Sequence, residues 1–262
     1  MDCFEELAQR CMLQVSKRKY DNSARYCRIH DLLRDMCISE AKESRDLEIY
    51  KNDTIDCATT SNAARRLIIF NEIGTLNYSN SKLRGLFYYE YIYNPTTFKA
   101  LNRQFSSFKL LRVLCFNSQY MQEFPNEIKS LIHLKYLELH SNHLKEVPSW
   151  IGQFRNLQTF IIASGNMKEI SDSLWRIDNL RHVDFDNHSD ARPPNMGNNI
   201  VLKNLHTLNG VHAGSWIGNM LPKLTNLRKL KNQEKSLMIM PMHYLHHSRN
   251  WVILLPYLYK EI

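Results

Sequence analysis

The phrase "LRVLCF" at 111–116 returns three times at a constant step of 23 residues, as "LKYLEL" at 134–139, "LQTFII" at 157–162 and "LRHVDF" at 180–185. A second phrase recurs between these, as "EFPNEI" at 123–128, "EVPSWI" at 146–151 and "EISDSL" at 169–174. Leu111, Leu134, Leu157 and Leu180 open the four units. An L-x-x-L-x-L core with a period in the twenties encodes one short strand and one return segment per unit. Such a unit buries its apolar edge only against its neighbours. Three apolar columns hold register over four units, so the array is designed rather than accidental.

This is the pattern of a leucine-rich-repeat solenoid, an α/β architecture of stacked rungs. Strand alternation points Leu114 and Phe116, Leu137 and Leu139, Phe160 and Ile162, and Val183 and Phe185 inward. The residues between them face the concave side: Arg112, Val113, Cys115 and Asn117, then Lys135, Tyr136, Glu138 and His140. The next two rungs add Gln158, Thr159, Ile161 and Ala163, then Arg181, His182, Asp184 and Asp186. Mixed charge with an aromatic and histidines suits a protein-recognition surface, with Arg112, Lys135, Tyr136, Glu138, His140, Arg181, His182 and Asp184 as its candidate contacts. The same residues equally fit an ordinary solvated sheet face. Pro125 and Pro148 shape the return segments.

Outward from this block the pattern loosens. "ARRLIIF" at 64–70 and "LRGLFYYE" at 83–90 read as the first two rungs, with Leu83, Leu86 and Tyr88 in core columns. Residues 91–107 exceed what one repeat needs and imply an insertion or an irregular turn. Leu205 and Leu227 continue the opening-leucine series at spacings of 25 and 22 residues. From residue 231 the leucine columns stop, and 231–262 reads as a poorly ordered, non-repeat tail. The domain scheme is therefore a compact unit at 1–45, a polar linker at 46–63, the repeat domain at 64–230, and the tail.

Of 262 residues, 44% are hydrophobic, enough for a sizeable core. The net charge of +8 resides in residues 61–230, because the segments on either side cancel. A basic excess spread along a repeat array suits acidic protein surfaces better than nucleic acid, which meets clustered Lys and Arg. Six cysteines, five of them at or before Cys57 and none in a C-x-x-C pair, read as reduced core thiols of a cytoplasmic protein. His243, His246 and His247 have no acidic or Cys neighbour to complete a metal site. No apolar run reaches the length of a membrane span, so none is expected. G-x-S-x-G and H-E-x-x-H are both absent, which argues against a hydrolase and predicts no enzymatic activity.

Residues 1–45 read as helix, strand, polar hairpin and helix. Asp2 and Glu5 form a capping pair for the first helix, and "MLQV" at 12–15 is a short strand. The hairpin over 16–26 has Asp21-Asn22-Ser23 at its tip. "CRIHDLLRDMCISEAKES" at 27–44 then forms the second helix, with Ile29, Leu33, Cys37 and Ala41 on one stripe. This order matches the closing part of a winged-helix subdomain.

The stretch "CRIHDLLRDMCISEAKE" at 27–43 resembles the segment around the M-H-D motif of plant NLR immune receptors of the coiled-coil class. "FEELAQRCMLQV" before it is similar to the lead-in of the same subdomain, and leucine-rich repeats follow, as in that family. The resemblance covers roughly residues 2–230 and implies that His30, with Asp31 beside it, contacts the β-phosphate of ADP in a complete nucleotide-binding (NB-ARC) module. Ile29 stands where the motif has Met. None of the eight glycines forms the G-x-x-x-x-G-K-[ST] phosphate loop, so the chain reads as a truncated or partial receptor. No ADP or ATP is expected to bind it alone, and His30 then reduces to a helix-start histidine. The implied role is recognition and autoinhibition in an intracellular immune receptor. Its implied partners are a pathogen effector or guarded host protein and the receptor's own nucleotide-binding module. A free-standing cytosolic scaffold is the alternative.

Overall fold

The computed structural model describes residues 3–18, 24–50, 64–70, 80–92, 95–119, 121–185, 202–211, 221–232 and 236–237. Asp2, the hairpin tip at 21–23, Asp186 and the three tail histidines lie outside them.

The N-terminal unit comprises α1 (Cys3–Gln9), the antiparallel strands β1 (Leu13–Arg18) and β2 (Ala24–Ile29), and α2 (Asp31–Glu43). Cys11 (φ 57°) turns the chain out of α1, and Arg45 (φ 54°) turns it after α2. The second helix begins at Asp31 rather than Cys27, because residues 27–29 are committed to pairing with β1. His30 takes the N-cap position with extended backbone, and its Nδ1 accepts the Leu32 N–H at 3.4 Å. No side chain of α2 is buried. The stripe expected along it is only half covered at Leu33 and Ala41, while Cys37 is exposed. Cys11 is exposed as well, so these two are not core thiols; Cys115 is buried.

Among the described residues, ten strands form the main sheet. β3 (Leu47–Tyr50), β4 (Arg66–Ile69), β5 (Gly85–Ile92), β6 (Val113–Ser118) and β7 (Tyr136–His140) run parallel in sequence order. A short strand β8 (Glu146–Val147) on the return side pairs in parallel with its counterpart β10 (Glu169–Ile170). The main sheet continues through β9 (Thr159–Ala163), β11 (His182–Phe185), β12 (Thr207–Val211) and β13 (Lys229–Asn232). β14 (Ser236–Leu237) then reverses and pairs antiparallel with β13.

Two boundaries differ from the sequence reading, and the expected insertion takes a definite form. The sheet starts at Leu47, inside the stretch read as linker, because "LEIY" is apolar enough to add a rung beside β4. It ends beyond 230, where β14 pairs with the edge of the last rung and shields it. The insertion at 91–107 contains α3 (Pro95–Phe105), opened by a proline that suits a first helical turn. Four other return segments use short 3₁₀ turns instead, at Asn126–Ser130, Ser149–Gln153, Leu174–Arg176 and Leu221–Lys223.

The core is one continuous spine. Leu67, Leu86, Leu114, Leu137, Phe160, Val183 and Leu208 stack as one column, and Ile69, Tyr88, Phe116, Leu139, Ile162 and Phe185 as the next, all essentially without solvent contact. Phe116 is the hub of α3's attachment. Phe98 stacks on it at 5.9 Å, while Phe105 and Tyr88 meet it edge-on at 5.7 and 6.3 Å.

Polar ladders secure the turns. Ser141 and Ser164 are buried, and each donates to a carbonyl of the preceding turn, Met121 and Leu144, at 2.7 Å. From Leu157 onward, an asparagine before the opening leucine reaches back one repeat: Asn156 to the Ile132 carbonyl, Asn179 to Arg155, Asn204 to Asp178 and Asn226 to Lys203. At Gly210 (φ 72°) an added Cβ would stand 1.5 Å from the Phe185 carbonyl oxygen, so only glycine lets β12 lie this close to β11.

Candidate protein-recognition face

Parallel register places equivalent residues of successive rungs side by side. Arg66, Gly85, Val113, Tyr136, Thr159, His182, Thr207 and Lys229 form one row. The row just before it is Arg65, Arg84, Arg112, Lys135, Gln158, Arg181, His206 and Arg228. From Arg84 onward each member donates a backbone N–H to the carbonyl of the member before it, at 2.7–2.9 Å. Six of these eight are Arg or Lys and a seventh is His, and every Arg and Lys among them is exposed. Among the described residues none of the six has an ion-pair partner, whereas neighbouring Arg66 pairs with Asp46.

Beside this basic row lies a hollow of about 430 Å³, lined by Phe87, Val113, Cys115, Asn117, Tyr136, Glu138 and His140. Glu138 organises it. The Tyr136 hydroxyl donates to Oε2, and His140 Nε2 donates to Oε1 at 2.7 Å. The hydrogen bond from His140 and then that from Tyr136 hold the Glu138 carboxyl below its ordinary range, although burial opposes them. Cys115, read as facing the concave side, is buried at the floor of this hollow. Burial first, and the Glu138 charge second, push its thiol up to about 12, so it is inert at neutral pH.

Two rungs further on, Asp184 Oδ2 accepts from Asn209 Nδ2 at 2.8 Å. His182 Nδ1 lies 3.2 Å from Thr207 Oγ1, and the His182 ring meets His206 edge-on at 5.8 Å. Both imidazoles have lowered pKa values. Burial is the main cause in each, followed by His206 and Arg181 for His182, and by Arg228 and Arg181 for His206.

The structure brings Tyr136, Glu138 and His140 into one network and sets Arg112, Lys135 and Arg181 in one row with His182 and Asp184 beside it. The sequence reading had missed Arg65, Arg84, His206 and Arg228. Their signal was present, since a basic residue follows the opening apolar residue in "ARRL", "LRGL", "LHTL" and "LRKL". The rungs outside 111–185 are irregularly spaced, however, and only strand pairing shows that they share the row. His30 and Asp31 lie apart from this face, exposed at the start of α2. Asp31 Oδ1 pairs with Arg28 and Arg34, both at 3.3 Å. Toward a phosphate, His30 can offer one ring nitrogen and no cradle.

Parallel rungs that return, in the described connections, through short turns or a helix define a leucine-rich-repeat solenoid. The same architecture appears in a leucine-rich-repeat protein of Leptospira interrogans, with a TM-score of 0.55, 24% identity, and coverage of 71% of this chain and 47% of that one. The chain belongs to the leucine-rich repeat region family, whose model matches residues 92–248. Residues 1–37 match the winged helix domain of disease resistance proteins.

Several relatives are disease resistance or susceptibility proteins. The putative inactive disease susceptibility protein LOV1 of Arabidopsis thaliana is 32% identical over 143 residues, covering 52% of this chain and 20% of that protein. Disease resistance protein RPP13, also from Arabidopsis thaliana, is 32% identical over 133 residues, with 50% and 15% covered. The ToMV resistant protein Tm-2 netted virescent of Solanum lycopersicum is 27% identical over 246 residues, with 87% and 28% covered. The chain thus spans between 15 and 28% of the length of these relatives. No helix among the described residues is long and apolar enough to cross a membrane.

Proposed function

We propose that this chain is the recognition and autoinhibition segment of an intracellular immune receptor of the disease-resistance type. The observation that carries this reading is a winged-helix unit joined to a solenoid whose strand face holds an exposed basic row beside an aromatic, carboxylate-centred hollow. Its work is binding rather than catalysis, and its site of action is the cytoplasm. The partners are proteins: a pathogen effector or a guarded host protein on one side, and the nucleotide-binding module on the other. His30 contributes a contact to the β-phosphate of ADP only when the remaining nucleotide-binding elements enclose the nucleotide. A single charge-assisted hydrogen bond is worth about 1.5–3 kcal/mol, weaker than millimolar affinity on its own.

The test is co-expression in leaf tissue with a nucleotide-binding module of the disease-resistance type, carrying a substitution that makes it constitutively active. The chain should suppress the resulting cell death, and Tyr136→Lys combined with Ile161→Lys should remove suppression while leaving the fold intact by circular dichroism. Suppression unaffected by those changes, or absent with the unaltered chain, contradicts the reading.

A further inference from the structure

The row Arg65, Arg84, Arg112, Lys135, Arg181 and Arg228 is more regular than recognition of an arbitrary surface requires. Its members come from different rungs, yet their backbones are hydrogen-bonded in direct succession, with Gln158 and His206 completing the file. With strands about 4.8 Å apart, eight rungs set out a line roughly 34 Å long. The cations in it are exposed and, among the described residues, without ion-pair partners. Nor do they contribute to holding the Glu138 carboxyl, which is served by Tyr136, His140 and Cys115. Single-file positive charge without internal neutralisation destabilises the free chain slightly through self-repulsion. An external anion with matching linear spacing relieves that repulsion.

We infer that this basic row is the docking strip for an acidic, extended polypeptide segment lying along the solenoid axis, across the strands. A fully extended chain advances about 3.3–3.6 Å per residue, so roughly ten residues occupy the strip. The chemistry next to the strip selects polypeptide over other polyanions. Glu138 and Asp184 lie three residues after Lys135 and Arg181 on the same rungs, and their charge repels a second phosphate strand. Val113, Tyr136 and Ile161 interleave with them and present apolar and aromatic surface suited to side chains. A bilayer is excluded by shape, since the strands of such solenoids line the inside of a horseshoe. The inference rests on the strand face being the recognition face and adds the class of partner that it takes.

The test uses the full 262-residue chain and a fluorescein-labelled peptide of about ten glutamates, followed by anisotropy at low salt. The peptide should bind, and binding should vanish by about 1 M NaCl, where the Debye length falls to about 3 Å. Arg84→Glu, Arg112→Glu and Lys135→Glu together should weaken binding by about tenfold or more, because charge reversal replaces attraction by repulsion at three rungs. Lys145→Glu, Lys168→Glu and Arg176→Glu make the same change of net charge at exposed positions on the return side. They should alter affinity by no more than about twofold.

Equal loss in the two triple variants would show that net charge alone acts, and would overturn the inference. So would tighter binding of a DNA duplex or of phosphatidylserine vesicles that the strip variant abolishes. Loss of suppression in leaf tissue with glutamate binding intact would sink the receptor reading alone. Suppression without glutamate binding would sink only the strip.

Discussion

The solenoid and the winged-helix unit solve the problem of covering apolar surface in opposite ways. Each rung of the solenoid is too small to have a core, but its neighbours on both sides seal it, and a column from Leu67 to Leu208 is excluded from water. The winged-helix unit has a thirteen-residue helix, a hairpin and a short helix, yet α2 buries no side chain. Leu32 is 68% exposed, Met36 60% and Met12 40%. Repetition supplies stacking partners in cis, whereas an isolated small α/β unit leaves an apolar face open for contact.

The comparison is broken most severely by emptying the spine. Phe116→Ala removes the ring that Tyr88, Phe98 and Phe105 pack against and should cost about 3–5 kcal/mol in urea unfolding. Leu137→Ala should fall in the range of about 2–5 kcal/mol for the same reason. Next comes Gly210→Ala, where the positive φ and the Phe185 carbonyl both resist a Cβ; a loss of about 2–4 kcal/mol is expected. Ser141→Ala leaves a buried turn without its hydroxyl donor and should cost about 1–3 kcal/mol. In the other region, Leu32→Ala should change stability by less than about 0.5 kcal/mol, since the side chain is already in water.

The smallest effect is the pH response of the strand face. His182 and His206 have native pKa values below the ordinary 6.5, so the unfolded chain binds protons first on acidification. Stability should therefore be intact above pH 6.5 and decline as pH falls from there toward the native values. Glu138 adds a separate loss at lower pH, below its ordinary 4.5, where protonation breaks its bonds to His140 and Tyr136. Thermal melts of His182→Gln across this range should show a shallower decline in the upper window and an unchanged one in the lower.

What the sequence could reveal followed the same division. Where the repeat is strict, every inward residue from Leu114 to Phe185 was legible, because period and alternation together fix orientation. Where it is not, elements were missed. β3 hid in a polar connector because four residues are too few to show alternation, and α3 hid in the insertion because its interior residues Phe98, Leu101 and Phe105 follow a helical period inside a strand-based repeat. The extent of the basic row required knowing which residues hydrogen-bond across rungs of unequal length. In the winged-helix unit, apolar spacing along α2 signalled a stripe correctly, but spacing does not say whether anything covers it.

Hydrogen exchange of the full chain, read by mass spectrometry, tests most directly the claim that neighbour stacking seals the solenoid into one unit while the winged-helix unit holds itself only weakly. The account predicts that amides of β6, β7, β9 and β11 exchange slowly and together, and that Leu137→Ala accelerates all four. It also predicts that α2 exchanges much faster, at a rate indifferent to Leu137→Ala. Protection of α2 equal to that of the rungs, or acceleration confined to β7 in the variant, would contradict it.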